Sequence, residues 1–160
     1  MAKTKNPVVD TLLCMLEQCF EKNAWHGPHV RASIRGADAQ EAAWRPQRKR
    51  KNVAEQVLHI AYWKYSVCRR IRRGKRGSFP LKGTNWFPVS AKLSETRWEE
   101  YKQILENQHA QLRQMVVDLA TAGPSSLTSG RVHMIAGIAA HDVYHAGQIR
   151  LLRSMYESTR

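Results

Sequence analysis

The stretch Ile138-Ala139-Ala140-His141-Asp142-Val143-Tyr144-His145-Ala146-Gly147-Gln148-Ile149 decides how this chain is read. On an α-helix, residues four apart lie one turn above each other on the same face. His141 and His145 therefore point the same way, and Ile135, Ile138, Ile149 and Leu152 share that side. The pair thus faces a packed interior rather than water. A buried imidazole needs a partner. One divalent cation would satisfy both rings, provided a third ligand arrives from elsewhere. Two core or surface histidines that merely fall one turn apart are the plain alternative.

Outward from this segment the pattern stays helical. A first helix is expected over about 7–22, with Val9, Leu12, Leu13, Leu16 and Phe20 at helical spacing and Pro7 in its first turn. A second spans about 52–73, opening on an Asn52 cap with Glu55 at the capping-box position and ending at Gly74. A third runs from a Ser94 cap over about 94–120, carrying the stripe Trp98, Tyr101, Leu105, Leu112, Met115, Val116 and Leu119, and Gly123-Pro124 stops it. The fourth, over about 130–156, holds the histidine pair. No stretch alternates with strand periodicity. The expected fold is all-α, a four-helix bundle in a single domain spanning 1–160, an architecture that builds metal sites between facing helices.

Two connections are richer than turns. Residues 24–36 carry Trp25, His26, Gly27-Pro28 and His29, and residues 78–88 carry Phe79, Trp86, Phe87 and two prolines. The second reads as a structured lid. Trp25 is expected to pack over the bundle mouth, with His26 and His29 either lining the entrance or serving the turn.

His59 is the best third ligand. It lies mid-helix between Leu58 and Ile60, on the shoulder of the Val53-Val57-Ile60-Val67 stripe, from where it could reach the His141/His145 face. Taken alone it would be read as a packed histidine. Three neutral imidazoles with open positions suit Zn²⁺, Ni²⁺, Fe²⁺ or Co²⁺.

Leu58-His59-Ile-Ala-Tyr-Trp-Lys64, Trp25-His-Gly-Pro28, Ser78-Phe-Pro-Leu-Lys-Gly83 and Ala140-His141-Asp-Val-Tyr-His145-Ala-Gly-Gln-Ile149 together resemble the DinB-like (damage-inducible) superfamily of four-helix bundles. The resemblance runs over nearly the whole chain in the same order. It implies a divalent metal held by one histidine of the second helix and two of the fourth, which match His59, His141 and His145. Some relatives are metal-dependent transferases or isomerases that use small thiols, and many have no assigned reaction. The resemblance also implies pairing as a homodimer.

Around this core the residues support weaker expectations. Asp142, about 100° round the helix from His141, suits either an acceptor for the N–H of a ligand imidazole or a surface or interhelix salt bridge. Gln148 either reaches a metal-bound water or is a polar shoulder. Trp63, Trp86 and Trp98 belong to the core or wall the pocket. His109 and His133 stand among polar neighbours and are expected to be exposed. Gly137 and Gly147 weaken the fourth helix and suggest close helix contact there.

The three cysteines, Cys14, Cys19 and Cys68, lack metal-finger or disulfide spacing and read as free thiols. Cys68 is more than two turns from His59. The net charge of +13 is partly local, in Arg45–Lys51 and in Arg69–Arg76. Arg69, Arg70, Arg72 and Arg73 could attract nucleic acid or another polyanion, but no recognition motif accompanies them and a solvated face is preferred. No apolar run reaches the roughly 20 residues that span a bilayer. The N-terminus lacks a small-residue cleavage site, which gives the cytoplasm as the expected location. No nucleophile triad, phosphate-cradling loop or dinucleotide fingerprint is present. An enzyme built on this chain, a metal-dependent transferase, hydrolase or isomerase, must rely on its metal to act on a small molecule. The alternative is a non-enzymatic, stress-associated binding module with a structural metal and a basic face for a polyanion or nucleic acid.

Overall fold

The helices of the computed structural model, which describes residues 6–22 and 24–160, begin where side chains cap them. In chain order they are α1 (Pro7–Phe20), α2 (Val30–Ile34), α3 (Ala39–Ala43), α4 (Val53–Arg72), α5 (Glu95–Thr121) and α6 (Ser129–Glu157), with a 3₁₀ turn at Pro124–Ser126. Among the described residues there is no strand. The chain is therefore the all-α bundle that its periodicity implies. Asn52 Oδ1 accepts from the Glu55 N–H at 2.8 Å, and Ser94 and Thr128 side chains accept from Arg97 and Arg131 N–H groups. α4 ends one residue earlier than a glycine stop requires. Arg73 itself takes the left-handed conformation (φ 54°), and the Gly74 N–H donates to the Arg69 carbonyl at 2.9 Å.

α2 and α3 were not expected. Five residues are too short for a periodic stripe to show, and the α2 cap is unusual. His29 Nδ1 accepts from the Ala32 N–H at 3.1 Å, whereas α3 has the ordinary Asp38 cap on Glu41. Val30 and the His29 cap take the inward positions of this turn. Trp25 is left 85% exposed, its ring edge-on to His26, so it does not cover the bundle mouth.

α4 packs on both α5 and α6, and α1 closes the bundle against α6 and α5. The core falls into two apolar clusters. One holds Phe20, Val57, Ile60, Trp98, Leu105 and Ile149 together with the 78–89 loop; the other holds Leu12, Leu16, Ile71, Leu112, Val116, Ile135 and Ile138. A polar layer lies at their seam. The Lys64 ammonium donates to Asp142 Oδ2, both side chains fully buried, and lies 3.3 Å from His109 Nδ1. His109 stacks flat on Phe20 at 3.7 Å between ring centres. It is buried, contrary to the exposure expected from its sequence neighbours, because its phase on α5 falls between Leu105 and Leu112. Asp142 is the interhelix salt bridge rather than a partner of a site imidazole.

The glycines of α6 meet no close neighbour. A Cβ added at Gly137 or Gly147 would find no atom within 4 Å, so the helices of this chain do not press there. No described helix is long and apolar enough to cross a membrane.

Buried Arg153 pins α2 and α3 to α6. Its guanidinium donates to Glu41 at 2.6 Å and to the Ser33 and Arg35 carbonyls at 2.9 and 2.8 Å. Removing it strands a buried carboxylate and two carbonyl oxygens. Arg153→Met is expected to destabilise the chain by about 3–5 kcal/mol, read as a fall in the urea unfolding midpoint.

Candidate metal centre

α4 and α6 run side by side, and each offers imidazoles to the space between them. His59 comes from the middle of α4, His141 and His145 from successive turns of α6. The His141 Nε2 lies 3.2 Å from His59 Nε2 and 3.1 Å from His145 Nε2. One nitrogen from each ring lies within 4.8 Å of the other two. His59 and His145 are buried, and His141 is half-buried, so approach is from its side.

The remote ring nitrogens fix the tautomers. A backbone carbonyl can only accept, so His59 Nδ1, 2.9 Å from the Asn85 oxygen, carries the proton. His145 Nδ1 faces Gln56 Oε1 at 2.6 Å and Gln148 Oε1 at 3.0 Å, and donates there. Both rings therefore turn a bare Nε2 lone pair toward His141. His141 has one proton at most to share between two acceptors while its ring is neutral. Two inward lone pairs and a third ring at 3.1–3.2 Å leave the cluster short of a donor. Imidazoles sharing one tetrahedral ion at about 2.0–2.1 Å stand about 3.3 Å apart. The donor set fits a divalent cation.

All three rings resist protonation. Burial drives His141 down to about 3, helped by repulsion from the other two rings, and His145 down to about 4. Burial also lowers His59, against the pull of the Asn85 carbonyl. Neutral rings are the form that ligates metal.

Around the triad, Trp86 lies flat on His59 at 3.8 Å. Trp63 stands 6.2 Å from both His59 and His141 and donates its indole N–H to Asn85 Oδ1. Asn85 adopts a left-handed φ of 62°, which asparagine tolerates better than most residues. Gln148 reaches the far nitrogen of His145. Trp25, His26 and Asp142 make no contact with the three rings among the described residues. The indole of Trp25 faces solvent, His26 packs against it, and Asp142 is taken up by its pair with Lys64. Gln56 escaped the sequence reading, although it sits one turn before His59.

Arg70 and Arg73 are exposed, and Arg70 rests over Trp63 at 5.6 Å. Arg72 meets Asp118 at 3.4 Å. Arg69 and Arg70 line a cleft of about 690 Å³ with Arg76 and Lys82. Cys19 and Cys68 are free and buried, their thiols pushed up to about 11 by burial, and Cys14 is free and exposed.

The fold and the cluster define a helical bundle with a three-histidine centre between two helices. A family model described as the DinB superfamily matches residues 24–149, and the chain belongs to that superfamily. No curated protein and no solved structure matches it.

The lowered histidines predict acid sensitivity. An unfolded chain takes up protons on these rings near pH 6.5, whereas the folded chain refuses them at His141, His145 and His109, the last held near about 2 by burial and Lys64. Acid therefore favours unfolding. Burial raises the Asp142 carboxyl to about 6 against the pull of Lys64, which offsets one ring's share. The net of two rings is a loss of roughly 3 kcal/mol per pH unit between about pH 6 and 4.5 for the metal-free chain. Urea midpoints across that range measure it; a flat profile contradicts the neutral rings.

Proposed function

We propose that this protein binds one divalent metal ion through His59, His141 and His145 and uses it as a metal-dependent enzyme on a small molecule. The observation that carries this reading is the inward pair of Nε2 lone pairs, fixed by Asn85, Gln56 and Gln148 on the far side of the rings. A divalent ion bound there supplies Lewis acidity that favours the anionic form of a substrate thiol or hydroxyl. The chain's own contributions are orientation and exclusion. Asn85 and the two glutamines hold the rings in register, Trp86 shields one face of His59, and the two helices keep the donors dry. Thiol-using transfer is the reaction class we favour, by family likeness alone. The same reading takes zinc, nickel or iron as the ion, the cytoplasm as the location and a homodimer as the assembly.

Elemental mass spectrometry of untagged protein tests the metal, and a panel of thiol-transfer substrates then tests the reaction. About one metal ion per chain is expected. A well-folded chain that takes up no zinc, nickel or iron from excess would overturn the proposal.

A second reading has one observation behind it. The cleft carrying Arg69, Arg70, Arg76 and Lys82 has no acidic side chain in its lining. A polyanion bound there would dissociate steeply with added salt, and neutralising Arg69 and Arg70 would weaken it while leaving metal content unchanged.

A further inference from the structure

Beside the histidines, a second cleft of about 560 Å³ opens between the 46–51 segment, Trp86 and the C-terminal half of α6. Its base adjoins the centre on the far side of His145. Gln56 and Gln148, which accept from His145, line it together with Trp86, which covers His59. One wall carries Lys49, Arg50 and Lys51, with no acidic side chain in the lining. The opposite wall carries Leu151 and Met155, 63% and 40% exposed. Lys51 Nζ lies 4.9 Å over the Trp86 ring. Glu55 lies 3.9 Å from Lys51, but Arg45 already holds both its oxygens at 2.6 and 2.8 Å. The Lys51 charge is left largely uncompensated.

Exposed large apolar side chains beside a concave, cation-edged pocket mark a binding site for a small amphipathic molecule. The arginine cleft of α4 is a poorer candidate. Its lining carries none of the exposed large apolar side chains. Resting on the metal reading above, we infer that the cleft between Lys51 and Met155 binds a small organic anion beside the centre, against the glutamines that orient His145. Lys51 holds the anionic group, Trp86, Leu151 and Met155 hold an apolar body, and the molecule rests on Gln56 and Gln148, the side chains that orient His145.

Phenylbutyrate and its uncharged counterpart phenylbutanol probe this directly, titrated into the full-length chain and followed by NMR and calorimetry. Phenylbutyrate is expected to shift the Trp86 indole and the Leu151 and Met155 methyl signals. Lys51→Gln should weaken phenylbutyrate about tenfold and leave phenylbutanol unchanged, whereas Leu151→Glu should weaken both. Both positions are solvent-accessible enough for the variants to fold. Equal affinity of wild type and Lys51→Gln for phenylbutyrate overturns the inference, as does the absence of saturable binding or a set of shifts confined to the Arg69–Arg76 face. Metal content is measured on each protein. A wild type that binds phenylbutyrate in a Lys51-dependent manner without taking up metal supports the anion seat and refutes the metal reading.

Discussion

His145→Ala is expected to lose metal and turnover together while its helices stay formed. Structural zinc sites hold their ion with roughly 10–16 kcal/mol over four ligands, or about 3 kcal/mol for each, so deleting one imidazole should weaken uptake about a hundredfold or more. The fold should survive. Alanine is the best helix former, and the main structural cost is a Gln56 carbonyl left without the His145 N–H at 2.6 Å, about 1–3 kcal/mol. Circular dichroism and elemental analysis on one preparation separate these effects. Turnover retained by a metal-free His145→Ala protein would remove the metal from the chemistry.

The second large effect belongs to the buried ion pair. Lys64→Met removes the only positive charge that touches Asp142 among the described residues, and Asp142 Oδ1 already lacks a partner. An unpaired carboxylate in a dry core costs about 3–5 kcal/mol. Replacing both members, Lys64→Met with Asp142→Leu, should recover most of that loss, since apolar substitutes for a buried pair are often neutral or better. Denaturant unfolding of the wild type, both single variants and the double variant closes the cycle. If the double variant is no more stable than Lys64→Met alone, the pair is not the source of the penalty.

Much of this fold was readable from hydrophobic phase, and the same phase could have revealed more. Lys64 falls within the Val57-Ile60-Val67 stripe, His109 within Leu105-Leu112, and Asp142 within Ile138-Ile149. Each is a polar residue at the centre of an apolar face, on three helices that share one core. Reading His109 by its immediate neighbours, Asn107, Gln108 and Gln111, hid this. The histidine cluster was legible because α6 places two imidazoles on consecutive turns by itself. Its supports were not. Trp86 and Asn85 come from an irregular loop, where nothing periodic announces which atom turns inward. Gln56 became meaningful only once α4 and α6 were seen face to face. Trp25 shows the converse error, since size and hydrophobicity alone do not bring a turn residue inside.

The oxygen that orients His59 belongs to the main chain of Asn85, within a left-handed turn. No single side-chain exchange can delete it. The centre is thus insured against losing the oxygen itself and exposed to any residue at position 85 that resists the left-handed backbone, β-branched residues and proline most of all.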